Sequence, residues 1–165
     1  MTGSSILFTP DFGYAGALTR PSHSTVEPVV MSTDKPFAGD GLMGKKVAGK
    51  FVPISEGDAV TVFFGIRVRS YPFMSDSDLA RQLTTPYNHT GDALTRGYIA
   101  VKVNAGTVTD NVPVFVRVKG GTKEKPIGGF EAEADKTEGN TVALTNARFI
   151  GAADANGIAE VAFNI

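Results

Sequence analysis

The chain has 165 residues, with 16 basic and 17 acidic side chains and a net charge of −1. That length fits one domain, and the neutral balance argues against a nucleic-acid-binding or a cationic membrane-binding protein. Cysteine is absent, which excludes disulfides, thiolate metal sites and cysteine nucleophiles. Nineteen glycines and nine prolines favour a β-rich domain with many turns over a helical one.

The first 24 residues are rich in Gly, Ser, Thr and Pro, and show neither helical nor strand periodicity. The start lacks the charged and apolar regions of a signal peptide, so we expect synthesis and use in the cytosol or in a particle assembled there. No apolar run approaches the ~18 residues of a membrane helix. The pattern predicts an extended N-terminal arm over residues 1–24 and a β-rich domain over 25–165. A frayed terminus is the alternative, although its aromatic residues argue against full disorder.

Short β-branched and aromatic runs separated by Gly, Asn and Asp turns follow the arm, which is typical of a barrel or sandwich. The run 59–69 has the strongest strand pattern, with Gly65 as a bulge or a point of close backbone approach. Arg67 and Arg69 alternate with apolar residues there, which predicts one wet face. The predicted strands cover residues 25–30, 46–54, 59–69, 98–103, 113–118, 129–134, 140–144 and 158–165.

One short helix is predicted near residues 75–84, because Ser75–Asp78 supplies capping side chains and Pro86 ends the pattern. Residues 119–126 predict an exposed hairpin loop. The expected fold class is therefore all-β: a single antiparallel β-barrel or a jelly-roll-like sandwich, with an N-terminal arm and at most this one helix.

The closing residues predict a hairpin that completes the fold. A strand ends at residues 147–149, a turn lies at Asp154–Gly157, and a last strand alternates apolar with small or polar residues. Arg148 is expected near the rim of the core. The side chains expected to finish the core are Phe149, Val161, Phe163 and Ile165.

The two histidines do not predict a catalytic or metal site. His23 and His89 both lie in polar loop contexts, and neither has a visible nucleophile or a buried orienting carboxylate. Their separation in the sequence also makes a metal site a poor interpretation. An enzyme, such as a small hydrolase, would need a constellation that the chain does not display.

Three other motifs match chemistry by letter only. Residues 39–44 (GDGLMG) match a dinucleotide-binding loop, but a strand-like run follows them where that loop needs a helix. Asp154–Gly157 resembles the start of a calcium loop, but its twelfth position is Ile165 in place of a glutamate. Asp76 and Asp78 are better explained as helix-capping residues. The sequence therefore predicts no catalytic residue, no metal and no cofactor.

Several segments, in order along the chain, resemble the structural cement proteins that decorate tailed-phage heads. Residues 13–21 (GYAGALTRP) with 24–28 (STVEP) are similar to the N-terminal arm of that family. Residues 65–72 (GIRVRSYP) match its central strand, and 98–103 with 113–118 match its later strand pair. The ending, NARF at 146–149 followed by NGIAEVAF at 156–163, is similar to the family's C-terminal signature.

The resemblance implies a non-enzymatic virion protein, made in the cytoplasm of a bacterial host and bound to the outer surface of the capsid. It would bind at capsomer junctions and stabilise the head against the pressure of the packaged DNA. Its implied partners are the major capsid protein and further copies of itself, as a dimer or trimer. A head-fibre or tail module that recognises a host surface is the alternative.

Contact with the capsid is predicted for aromatic and basic side chains at two places. The arm can lie across neighbouring subunits or add to a neighbour's sheet, and the knuckle at residues 71–74 places aromatic and Met side chains at a strand exit. In the knuckle, the rings could instead cover the protein's own core. The predicted contact residues are Phe8, Phe12, Tyr14 and Arg20 in the arm, and Tyr71, Pro72, Phe73 and Met74 in the knuckle.

Overall fold

A computed structural model describes residues 13–69 and 90–165 of the chain. The prediction of an all-β fold is confirmed, and within these ranges the only helical segments are 3₁₀ turns at Pro21–His23 and Val60–Val62. The helix predicted at 75–84 lies outside the described residues. The described residues form nine strands: β1 (Thr25–Met31), β2 (Met43–Val47), β3 (Lys50–Pro53), β4 (Gly65–Val68), β5 (Thr90–Lys102), β6 (Pro113–Arg117), β7 (Phe130–Glu131), β8 (Thr141–Ile150) and β9 (Ile158–Phe163).

The first half of the sheet closes into a ring. The strands run in the order β1-β3-β2-β4-β5, and β1 also pairs with the first part of β5. All of these pairs are antiparallel except β1 with β3, which is parallel. Closure removes the free edges that an open sheet would expose. The ring is therefore a barrel, one of the two expected folds, and it contains one parallel strand pair.

The second half grows from the other end of β5, which is 13 residues long. β5 pairs there with β9, followed by β8, β6 and β7. A parallel bridge between Val103 and Phe130 brings β7 back beside the end of β5. β5 is therefore the shared wall of both halves.

The domain has two apolar clusters. The smaller one consists of first-half residues and is built on Phe51, whose ring centroid lies 4.9 Å from that of Phe37. The larger one joins the two halves, because Met43, Ile66 and Leu94 of the first half pack with the β-branched residues and phenylalanines of the second half. Alternate residues of most strands supply these side chains, whereas β4 and β9 are buried at every position.

Three strand predictions were wrong in whole or in part. The run 129–134 forms a strand only at Phe130–Glu131. The run 46–54 is a hairpin, because Ala48 and Gly49 both adopt positive φ and turn the chain between β2 and β3. The run 59–69 starts with a 3₁₀ turn, and only its last part forms β4.

The wet face predicted for the run 59–69 is also wrong at Arg67, which is buried with its Nε 2.9 Å from Asp40 Oδ1. Gly65 does mark a close approach, because an added Cβ would lie 2.6 Å from the Leu94 carbonyl oxygen.

The predicted C-terminal hairpin is confirmed, since β8 and β9 pair antiparallel. Its turn is closed by Asp154, whose side chain accepts hydrogen bonds from the amides of Asn156 and Ile158. Ile165 does not complete the core as predicted: Asn164 adopts φ 56° and turns the chain outward, leaving Ile165 exposed. No helix within residues 13–69 and 90–165 is long and apolar enough to span a membrane.

Candidate functional site

The described part of the predicted arm lies against the domain. Gly16 donates a backbone hydrogen bond to Ala100 O (2.8 Å), and the Ala100 amide donates to Ala17 O (2.9 Å). Thr19 donates to Tyr98 O at 3.3 Å. We call residues 16–24 the strap, because they run along β5 as an extra short edge segment.

Arg20 fastens the strap to the last strand. Its Nε and Nη2 donate to the two carboxylate oxygens of Glu160, each at 2.9 Å, and its guanidinium stacks 4.2 Å from the centre of the Tyr98 ring. The hydrogen bond to Glu160 raises the pKa of Arg20. Its side chain is 45% exposed, whereas that of Glu160 is 6% exposed. Arg20, a predicted contact residue, is thus anchored in its own domain and still reaches solvent.

Ser24 fixes the other end of the strap. Its hydroxyl donates to Arg20 O (2.9 Å) and accepts from the Tyr98 amide (3.1 Å). Gly97 allows this approach, because it adopts φ 132° and an added Cβ would lie 2.4 Å from Ser24 Oγ. A side chain at this position of β5 would therefore displace the strap.

Tyr14 lies two residues before the strap and is 60% exposed. The guanidinium of Arg69 lies 4.0 Å from the centre of the Tyr14 ring, and the Arg69 amide donates to Gly16 O. Tyr71 follows two positions later, so Tyr14 sits where the knuckle segment leaves the described part of the chain. The other predicted contact residues lie outside the described residues, so their contacts remain predictions. They are Phe8, Phe12, Tyr71, Pro72, Phe73 and Met74.

A buried charge cluster was missed from the sequence. Arg117 Nε donates to Glu131 Oε1 at 2.6 Å, and its Nη2 lies 2.5 Å from Asp135 Oδ2. The hydrogen bond from Arg117 lowers the pKa of Asp135 to about 2. The remaining donors of Arg117 reach the carbonyls of Lys119 and Gly120. Each nitrogen of the Arg117 guanidinium has a bonded partner inside the domain, so this cluster fixes the loop after β6.

Neither histidine forms a site in the described structure. His23 is exposed in a 3₁₀ turn, with its Nδ1 2.9 Å from Ser22 Oγ, and His89 lies outside the described residues. Over the same ranges, no group of three or more His, Cys, Asp or Glu side chains could hold a metal ion. What the geometry offers is surface: the strap, the exposed Tyr14 and the half-exposed Arg20.

A family model described as "Structural cement protein (E217 gp24/Pam3 gp6)" matches residues 3–164. The chain belongs to this family. The resemblance stated from the arm, strand and C-terminal motifs is thereby confirmed. Family membership gives the cement protein a structural role in the phage capsid and associates it with the virion.

The fold is similar to that of a solved phage protein. A chain from "The capsid of Myoviridae Phage XM1" superposes with a TM-score of 0.68 at 17% sequence identity, covering 99% of this chain and 97% of that one. At this identity the likeness concerns the fold alone. No curated protein matches the cement protein.

Proposed function

We propose that this cement protein binds the outer surface of the assembled capsid at capsomer junctions and stabilises the head against the pressure of its DNA, without catalysis. The observation that carries the proposal is the family match, which extends over nearly the whole chain, from residue 3 to 164. The partners are the major capsid protein and further copies of this chain, as a dimer or trimer, and synthesis takes place in the host cytoplasm.

The mechanism is thermodynamic. A protein that binds only the assembled, expanded lattice shifts the equilibrium toward that lattice by its binding free energy. Many copies bind one head, so a modest affinity per site sums to a large stabilisation. The larger apolar cluster joins both halves of the sheet, which gives a rigid body suited to this role.

The arm and the knuckle are the proposed contact elements. Tyr14 supports this proposal because it is exposed beside Arg69, close to the point from which the knuckle residues Tyr71–Met74 leave. Arg20 supports it because half of its side chain reaches solvent while Glu160 holds its position. Phe8 and Phe12 would extend the same surface toward a neighbouring subunit.

Binding to purified, expanded, undecorated shells tests the function. We expect saturable binding and an increase in the temperature at which decorated heads release their DNA. Absence of binding to expanded shells, together with binding to host cells, would refute the cement function in favour of a host-recognition module.

An N-terminal deletion tests the arm. Removing residues 1–12 leaves the strap intact, so the domain should keep its stability while shell affinity falls at least tenfold, about 1.4 kcal/mol. Removing residues 1–24 also takes away the strap and its bonds to β5 and Glu160, and it should lower stability as well. Unchanged affinity after removal of residues 1–12 would exclude this segment from the contact.

A further inference from the structure

We infer that an exposed corner of the second half of the sheet is a docking surface for an acidic, extended segment of the shell protein. The inference rests on the proposed function. The corner lies where β5, β9 and β8 run side by side, and it contains Arg96, Arg148, Ala162 and Ile165. We call it the arginine corner. None of its residues belongs to the predicted arm or knuckle contacts.

Strand register brings the corner together. Tyr98 pairs with Ala162 and Ala162 pairs with Arg148, so these three residues form one row across three strands. With neighbouring strands about 4.8 Å apart, the Cα atoms at the two ends of the row are roughly 10 Å apart. Because Arg20 stacks on Tyr98, arginine side chains stand at both ends of the row.

Side-chain amides hold the three strands in place at this corner. The Asn164 amide donates to the Thr95 carbonyl at 2.7 Å, and its backbone N–H donates to Asn146 O at 2.7 Å. The Asn146 side chain also donates to Asn164 Oδ1. Arg96 directly follows Thr95, so the network fixes the backbone beside it and limits the ordering required on binding.

The side chains of the corner carry a net positive charge. Arg96 and Arg148 are both exposed, and neither forms an ion pair within residues 13–69 and 90–165. The carboxylate of Glu160 is already occupied by Arg20. Asp110 accepts a hydrogen bond from the Gly151 amide. Guanidinium groups bind carboxylates through paired hydrogen bonds, so the corner complements an acidic partner.

The shape of the corner indicates an extended segment with one apolar side chain between its acids. A surface depression of about 130 Å³ lies beside Arg148, and the exposed Ile165 supplies an apolar contact in a lining that is otherwise mostly polar. Such a depression accepts a side chain, while Arg148 on its wall and Arg96 elsewhere in the corner bind carboxylates. Its lining residues are Thr145, Asn146, Ala147, Arg148, Ala162 and Ile165.

Charge reversal at the corner gives the first test. Arg148→Glu and Arg96→Glu should each weaken binding to expanded shells about tenfold and reduce its dependence on salt. Lys123→Glu is the matched control, because it makes the same change of charge in the exposed 119–126 loop. If the wild type binds shells and the corner variants bind them as well as the control does, this inference is overturned and the proposed function stands.

A titration without shells separates this inference from the proposed function. A synthetic peptide with one leucine flanked by glutamates is titrated into the isotope-labelled full chain. We expect the NMR signals of residues 145–148 and 162–165 to shift in the wild type. The same signals should not shift in Arg148→Glu. If the protein ignores shells yet binds this peptide at the corner, the cement function fails and the acidic docking surface stands. Binding to neither refutes both. A 20-base-pair DNA duplex that gives the same shifts at lower concentration would identify a nucleic-acid partner and overturn the inference.

Discussion

Two arginine–glutamate ion pairs with the same bonding pattern stabilise this fold, one of them buried and the other half-exposed. Arg117 and Glu131 are 2% and 1% exposed, inside the second half of the sheet. Arg20 is 45% exposed over Glu160, between the strap and β9. In both pairs one guanidinium bonds both oxygens of one carboxylate. The buried pair fixes the protein's own loop, whereas the half-exposed pair fastens a segment that still faces solvent.

The difference shows what burial demands of an ion pair. Moving two charges out of water costs free energy. The attraction between the charges offsets this cost only when every remaining hydrogen-bond donor also has a partner. Arg117 meets this condition through Asp135 and two backbone carbonyls. Arg20 does not need as many partners, because water reaches part of its side chain and the Tyr98 ring covers another part. The two pairs should therefore respond differently to the loss of a partner.

The largest effect is expected from Glu131→Ala. The change leaves the buried Arg117 without its main counter-charge, which should lower the free energy of unfolding by about 3–5 kcal/mol. Urea denaturation measures the loss. Glu124→Ala, in the exposed loop between β6 and β7, is the control and should change stability by less than about 0.5 kcal/mol. A loss below about 1 kcal/mol for Glu131→Ala would mean that the buried pair contributes no more than an exposed one.

Gly97→Ala tests the strap without replacing a residue of either pair. The new Cβ would lie 2.4 Å from Ser24 Oγ and would sit on a backbone with φ 132°, so we expect a loss of about 2–3 kcal/mol. Gly139→Ala is the control: it also has positive φ but no atom within 4 Å of the added Cβ, and it should lose only about 1 kcal/mol. Equal losses would show that the strap is not tightly packed on β5. Faster hydrogen exchange of the Tyr98 amide should report displacement of the strap.

Glu160→Gln removes the charge at the half-exposed pair and keeps the shape of the side chain. Because water can solvate the released Arg20, the expected loss is about 1 kcal/mol, several times smaller than that for Glu131→Ala. Glu27→Gln, at the exposed pair with Lys46, is the control and should be close to neutral. A loss for Glu160→Gln as large as that for Glu131→Ala would contradict the comparison between the two pairs.

The sequence predicted the fold class and the C-terminal hairpin, because alternation and turn residues carry that information locally. It failed at 59–69, where Val60 and Val62 have strong strand propensity but lie exposed in a 3₁₀ turn. Tertiary pairing decided this segment, because only residues 65–68 find strand partners. Gly65 and Ile66 pair with β2, and residues 66–68 pair with β5.

The candidate site was harder to predict than the fold. Tyr14 and Arg20 could be selected as exposed aromatic and basic residues, but the contact of Arg20 with Glu160 joins residues 140 positions apart. Arg117 and Glu131 look like ordinary alternating charges of two strands. Only the register that pairs β6 with β7 brings them together, and no pattern within either segment carries that register.

The smallest effect, and one that depends on pH, is expected from Asp135→Asn. Arg117 holds the pKa of Asp135 at about 2 in the folded protein, below the value of about 3.9 for an unfolded chain. A carboxylate whose pKa is lower in the folded than in the unfolded protein adds stability at pH values above its unfolded pKa. That contribution disappears as the pH falls through the folded pKa. The wild type should therefore be more stable than Asp135→Asn at pH 5, and the gap in melting temperature should narrow between pH 4 and pH 2. A gap that stays constant over this range would show that the carboxylate charge of Asp135 adds nothing to the buried pair.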